Sequence, residues 1–402
     1  MTAAIHPPEP VVRPAASAPM LSRTWHLLSL SDNWIESWNG YVERHPHGSI
    51  FHTTAWRDAV HSTFGHEPYY LLALERELSA GRAWAPPSPP GVRGESGRAR
   101  CADKNFAKDE PRIRGILPLF LVKSAIAGRM LVSVPYGVGG GILADDEEIA
   151  ETLFTRAKRI ARENRCQFID LRGGRCASPE LTAVDRHVSF RRELPDRSES
   201  VLSWLPRKAR AAARNGRDRF DLKATWGDEN LAEVWRLYSI NMRRLASIAY
   251  PVGFFRAIAR HTPSRHWTLL IRRRSRPVAG LFTLLHGDTV LPYFFGCTRE
   301  ARECSAANFA YFTLMVRAVE EGFRVFDFGR TRRDNEGSLN FKRFHGFEPA
   351  PLAYWQYALP GYSPPNLSPS DPKYRWVRRV WPHLPLRLTQ FAGARLSHHL
   401  PG

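Results

Sequence analysis

Two stretches of this chain repeat one another at a fixed distance. Pro135-Tyr136 and Asp170-Leu171-Arg172-Gly173 are answered by Pro292-Tyr293 and Asp327-Phe328-Gly329-Arg330, each 157 residues downstream. A unit of about 150 residues that recurs in tandem predicts two copies of one fold with a cleft between them. At 402 residues the chain exceeds what one core supports, and its 43% hydrophobic content is enough to fill two.

The pattern within each copy gives the fold class. In the first, Asp32 can cap a helix with Trp34, Trp38 and Val42 on one face, and Thr53 or Thr54 can cap a second through Trp56 and Val60. Apolar strands follow at 69–74, 112–122 and 129–135, then an acid-started helix over 145–164 and a strand over 166–171. The second copy has helices from Asp228 and over 253–260, strands over 266–272, 277–285 and 289–297, a helix over 306–321 stopped by Gly322, and a strand over 325–328. Two helices, a meander, a crossover helix and a further strand define an α/β (α+β) unit, its mostly antiparallel sheet holding one parallel pair. The division predicted is a disordered lead over 1–22, a first domain over 23–195 with a flexible Gly/Pro/Arg/Ser insertion at 76–111, a second, catalytic domain over 196–360, and a linker with a basic amphipathic segment over 361–402.

Charge narrows the partners. The net charge of +19 suits a polyanion such as RNA, a nucleotide diphosphate, coenzyme A or an acidic membrane face, or else reflects scattered solvated arginines. A basic helix over 202–216 joins the copies and sets Arg207, Arg210 and Arg214 on one face beside Lys208. Near the C-terminus, Tyr374-Arg375-Trp376-Val377-Arg378-Arg379-Val380-Trp381 fits a helix lying on an anionic membrane, or one docked on its own domain. Five cysteines without C-x-x-C spacing give neither a disulfide framework nor a metal site. With no export signal and no apolar run of membrane-spanning length, the expected location is cytoplasmic, with peripheral contact at the inner membrane face as an option.

The meander, helix and strand ending in Asp resemble the acyl-CoA N-acyltransferase fold of the GNAT superfamily, and two in tandem resemble the Fem family of peptidoglycan bridge-forming transferases. Phe326-Asp327-Phe328-Gly329-Arg330-Thr331 and Asn340-Phe341-Lys342-Arg343-Phe344-His345-Gly346 look like the F-D-x-G-R-S and F-K-x-x-x-G elements of FemAB-like proteins, particularly the exosortase/PEP-CTERM-associated subgroup. The resemblance implies transfer of an acyl or aminoacyl group from acyl-CoA or aminoacyl-tRNA, used as co-substrate rather than bound cofactor, to an amine of a cell-envelope or exopolysaccharide precursor. It also places Lys342 near the reacting centre.

An amine attacking an ester or thioester builds charge on the carbonyl oxygen, which needs a preorganised donor, and Lys342 is the candidate. It is one of only eight lysines in an Arg-rich chain, so a compact ammonium is wanted there. Asp327 is the candidate to orient the amine and Arg330 to bind a carboxylate or diphosphate, the alternative for both being a structural ion pair. Arg302, before the second crossover helix, stands in the degenerate donor loop Arg302-Glu303-Cys304-Ser305-Ala306-Ala307, where Ser305 replaces an expected Gly. In the first copy, Val138-Gly139-Gly140-Gly141 is a turn or a phosphate cradle. Tyr293, Asn308 and Phe341 line the pocket, while Arg207, Lys208, Arg210 and Arg214 hold phosphate. The base stays open among His345, His286, Glu348, Asp327 and the substrate itself. Two other readings keep different partners: an acyl-CoA-dependent N-acetyltransferase of a nucleotide-linked amino sugar, and a non-catalytic basic scaffold for RNA, including tRNA, or for a membrane surface.

Overall fold

Long apolar strands dictate the two sheets. In the computed structural model, Glu67–Glu75, Arg112–Ser124 and Gly128–Val132 form one antiparallel meander, and His266–Arg273, Arg276–His286 and Thr289–Cys297 form the other. Their centres are buried almost without interruption, so both faces of each sheet must be covered. The structure describes residues 25–75, 111–174, 178–363 and 375–402. The expected disordered lead, residues 76–110 of the expected insertion and most of the expected linker lie outside these.

Each meander is followed by a crossover helix and a parallel strand. Asp146 caps the first helix, Glu147–Glu163, by accepting from the Ile149 N–H at 2.9 Å. Gly322, at φ +84°, ends the second, Ala306–Glu320, a left-handed turn that favours glycine. Phe168–Arg172 then pairs parallel with Gly128–Val132, and Val325–Asp327 pairs parallel with Thr289–Cys297. The same element order and pairing in both halves make the chain two tandem GNAT-like domains.

The sheets nevertheless trade strands. Tyr354–Ala358, from the end of the second copy, lies antiparallel to Phe168–Arg172 in the first sheet. Arg191–Glu193, from the end of the first, lies antiparallel to Val325–Asp327 in the second. His187–Ser189 joins Thr331–Arg332 and Ala350–Pro351 in a small third sheet at the crossing. A boundary drawn between residues 195 and 196 therefore cuts the sequence but not the sheets. The copies also share an apolar core, where the equivalent helices Thr54–Phe64 and Val252–His261 meet: Phe254 packs 5.5 Å from Trp56 and 5.0 Å from Phe64, ring centre to ring centre.

One expectation needs correction. The basic connection is not one helix, because Pro206 has no N–H to donate and forces Leu205 into extended backbone. It splits into Val201–Trp204, Arg207–Arg214 and a wide turn at Asn215–Arg219. The Gly139-Gly140-Gly141 segment is a tight turn held against the strand end of its own copy. Gly140 donates to the Arg172 carbonyl at 2.7 Å, and a Cβ on Gly141 would stand 1.8 Å from the Gly173 oxygen, so only glycine permits this approach. At the C-terminal end, helix Arg375–Val380 buries no residue, while the turn after it and helix Leu386–Leu396 lie against the second domain, tied by Trp381 Nε1 to the Ser247 carbonyl (3.1 Å) and Arg243 to the Leu384 carbonyl (3.0 Å).

Candidate active site

The second Asp motif sits where its strand stops. Gly329 turns the chain at φ +66°, and Asp327 Oδ1 accepts the Gly329 N–H at 2.7 Å, which holds the loop. Helix Glu336–Phe344, capped by Asn335, brings Lys342 onto the same loop. Its Nζ donates to the carbonyls of Phe328 (2.9 Å) and Gly329 (3.2 Å) and lies 5.1 Å from the centre of the Phe190 ring. Lys342 is 6% exposed and so is not a surface lysine lying beside Phe341. Burial pulls its pKa down to about 7, with the charge of Asp327 opposing. Burial likewise raises the Asp327 pKa, against the Gly329 hydrogen bond and the charges of Arg191 and Lys342.

Arg330, the next residue, points into the junction of the two copies. Its Nη1 donates to Tyr354 Oη at 3.4 Å, and Tyr354 Oη donates to the Val138 carbonyl of the first domain at 2.6 Å. Tyr293 Oη donates to the carbonyl of Tyr136, its own counterpart in the repeat. Tyr250 packs 5.3 Å from Tyr136. Asp327 does not pair with Arg330, and among the described residues no carboxylate forms a salt bridge with this guanidinium. Nearby, burial and the charges of Arg330, Arg172, Arg332 and Arg186 push the His187 pKa down to about 3, so its ring is neutral. Its Nδ1 is buried without a hydrogen-bond partner among the described residues.

Arg172, at the matching strand end of the first copy, is fully engaged. It pairs with Asp170 (3.2 Å) and donates to the carbonyls of Val134 (3.2 Å), Pro401 (3.0 Å) and Gly402 (2.6 Å). Sequence alone singled out this Asp–Arg recurrence and assigned the chemistry to the second copy, where the fuller Asp-Phe-Gly-Arg stands. It missed Tyr250, Tyr354 and His187, which no spacing connects to Arg330. Tyr136 carried a signal, since it recurs as Tyr293.

A second group gathers on the crossover helix. Ser305, ahead of its first turn, takes φ +56°, the left-handed conformation that the expected glycine would adopt, and makes no side-chain cap. The N–H groups of the first turn therefore have no partner within the helix. Asn308 Oδ1 is buried without a partner among the described residues. One turn on, Tyr311 packs on Phe341 (5.3 Å) and Phe328 (5.0 Å), which connects the helix to the Lys342 loop. His345, 1% exposed, hydrogen-bonds the Phe341 carbonyl through Nδ1 at 2.8 Å, and burial lowers its pKa to about 4. Of the other base candidates, Glu348 is exposed and His286 faces Glu43 at 3.7 Å.

The arginines expected to bind phosphate divide. Arg302, Arg207, Lys208 and Arg214 are exposed. Arg210 instead turns back onto the Ser203 (2.6 Å) and Leu205 (3.1 Å) carbonyls, which lost their helical partners at the Pro206 break. Ala209 packs this short helix into the core that includes the crossover helix, and Ala213 is buried on the same helix.

This geometry has relatives. Residues 200–343 match the family model of the acetyltransferase (GNAT) domain, which covers the second meander, the crossover helix, the Asp327 loop and Lys342. The class defined is thus a GNAT-type acyltransferase fold, present twice. Among solved structures the chain is similar to FemX, with a TM-score of 0.56 and 12% identity over 88% of this chain and 100% of that one. A tandem GNAT protein from the clavulanic acid biosynthesis pathway aligns with a TM-score of 0.47 and 13% identity, over 83% of this chain and 98% of that one. The C-terminal domain of a putative lysylphosphatidylglycerol synthetase from Agrobacterium fabrum gives 0.44 and 13%, over 61% and 82%. No curated protein matches the chain by sequence.

Proposed function

We propose that this chain is a FemAB-like N-acyltransferase that moves an acyl or aminoacyl group to an amine of an anionic cell-envelope or exopolysaccharide precursor. The observation that carries the reading is Arg330: a guanidinium enclosed by tyrosines at the junction of two acyltransferase folds, with no carboxylate partner among the described residues. An enclosed cation without a counter-ion invites an anionic ligand, and a guanidinium takes carboxylate or phosphate in paired hydrogen bonds. It lies one residue beyond the loop gripped by Lys342, so an acceptor anchored there has its amine near Asp327.

In the reaction the amine nitrogen attacks the carbonyl carbon of the donor, the C–N bond forms, and the C–S or C–O bond breaks. The amine gives up one proton and the leaving thiol or hydroxyl takes one up. Two of the three N–H donors of Lys342 are held by backbone carbonyls. The third would meet the developing oxyanion, in an environment dry enough to make that contact strong. The donor phosphates would lie at the first turn of Ala306–Glu320, with Arg302, Arg207, Lys208 and Arg214 as outer contacts. Asn308, Tyr293 and Phe341 would shape the acyl pocket.

Acyl-CoA is the second donor reading, and Ser305 favours it. Its left-handed backbone keeps the shape of a glycine turn although the glycine is missing. The deciding experiment incubates the protein and an envelope-precursor extract with labelled acyl-CoA and labelled aminoacyl-tRNA in separate reactions. Label is expected to move from one donor to an amine-bearing, anionic product, and Arg330→Ala is expected to abolish capture at low acceptor concentration. No transfer from either donor would remove the enzymatic reading and leave the basic scaffold.

A further inference from the structure

The C-terminal segment is built inside out. Helix Leu386–Leu396 buries Thr389 and Gly393, and Ser397 just beyond it is buried on the same side. The fit is close, since a Cβ on Gly393 would stand 2.6 Å from the Ala249 carbonyl oxygen. The opposite side shows Leu388 (48% exposed) and Phe391 (59%) to the surroundings. A helix serving only to cover its own domain would turn those large apolar side chains inward, because burying each contributes far more than burying Gly or Thr. The preceding helix repeats the anomaly, with Trp376 68% exposed and Val380 44% exposed one turn apart. Leu245, 55% exposed, begins the loop that this segment covers. Exposed apolar side chains thus concentrate on one part of the surface.

Charge identifies the partner. Residues 375–402 contain Arg375, Arg378, Arg379, Arg387 and Arg395 and no acidic residue. Four of these arginines flank the exposed Trp376 and Phe391 in sequence, and the Arg395 guanidinium lies 4.4 Å from the centre of the Phe391 ring. Aromatic and aliphatic side chains edged by guanidinium groups match the boundary of a bilayer, where rings enter the headgroup layer and cations meet lipid phosphate. No helix among the described residues is long and apolar enough to cross a membrane, so the contact is one of lying on the surface. We infer that this face docks the protein onto an anionic lipid bilayer, with Trp376, Val380, Leu388 and Phe391 as the inserting residues and the arginines as phosphate contacts. The inference is independent of the transfer chemistry and is read without any donor or acceptor.

The test is co-sedimentation of the full chain with vesicles of phosphatidylcholine alone and of phosphatidylcholine with about one third phosphatidylglycerol, the composition an anionic surface requires. The wild-type protein is expected to bind only the anionic vesicles, and to release as salt rises because the guanidinium contacts are screened. Trp376→Glu/Phe391→Glu should lower partitioning at least about tenfold, and Arg378→Gln/Arg379→Gln roughly fivefold per arginine lost. All these positions are exposed, so thermal melting should match wild type, and a melt that shifts is replaced by the milder Trp376→Ser/Phe391→Ser pair. Absence of binding to anionic vesicles overturns the inference. So does equal binding by the Glu variant, and so does concentration-dependent self-association of lipid-free protein that the Glu variant abolishes while vesicle binding persists.

Discussion

Arg172 and Arg330 each come shortly after the aspartate of their copy's motif, one residue out of register, and have opposite fates. Arg172 is the last residue of the strand that closes the first parallel pair, and Arg330 lies three residues beyond Asp327, where the second such strand ends. In the first copy, Asp-Leu-Arg places the arginine two residues after the acid, within reach, and the pair closes on itself and on backbone carbonyls. In the second, Asp-Phe-Gly-Arg inserts a left-handed glycine, so Asp327 satisfies Gly329 and Arg330 turns to Tyr354 at the junction of the copies. One glycine thus separates a structural cation from an available one. A duplicated fold diverges by freeing one copy of a group that the other spends on its own stability.

The comparison breaks most visibly at Arg172. Arg172→Ala should destabilise the protein by about 2–4 kcal/mol, because Asp170, 14% exposed, would remain as a partly buried carboxylate without its ion partner. The carbonyls of Val134 and Pro401 would lose a donor as well. Denaturant titration measures this, and a loss below about 1 kcal/mol would mean that the first motif is not the structural one. Lys342 gives the next largest effect. Lys342→Ala should lower kcat by about 10²-fold, the scale of losing one oxyanion donor, with the fold retained by circular dichroism.

The pH dependence of Lys342 sharpens its role. Its folded pKa, about 7, lies below the ordinary lysine value of 10.5, so between these values the unfolded chain binds the extra proton. Stability therefore rises as pH climbs from about 7 towards 10.5, and Lys342→Met should flatten that part of the curve. Turnover should fall as pH rises through about 7 if the ammonium is the working form, and rise if the free amine serves as base. Arg330→Ala comes third, with the acceptor KM raised about 30-fold or more and kcat and stability little changed. An Arg330 variant that unfolds like Arg172→Ala would erase the distinction between the copies.

Much of this was legible in the sequence, and what was not has a common cause. Element order followed from period and caps: Thr53 does cap its helix, Thr289–Cys297 falls where the apolar run places it, and the one parallel pair per sheet follows from the crossover. Strand exchange was invisible because Arg191–Glu193 is short and polar enough to pass for a connection, and nothing in the local pattern of Tyr354–Ala358 says which sheet it joins. At the candidate site, Asp327, Lys342 and Phe341 were named from two short local motifs, which the fold brings onto one loop. Tyr250, Tyr354 and His187 were not, since they reach Arg330 only through the packing of one copy on the other. The two readings open for the C-terminal segment, docking on its own domain and lying on a membrane, fall on opposite faces of one helix: Gly393 makes the first contact, and Phe391 is free for the second.

The smallest expected effect tests whether the donor loop still has a glycine's shape. Ser305 holds φ +56° with no cap to offset it. A left-handed conformation costs a side-chain-bearing residue about 1–2 kcal/mol. Glycine escapes that strain but loses more chain entropy on folding, which returns about 0.5–1 kcal/mol of the gain. Ser305→Gly should therefore stabilise the protein by less than about 1 kcal/mol, visible as a small rise in denaturation midpoint at constant slope. A loss of stability instead would mean that the Ser305 hydroxyl makes a contact worth more than its strain. The second copy would then hold this turn by chemistry of its own, as the first holds its turn through Gly139, Gly140 and Gly141 packed on Gly173.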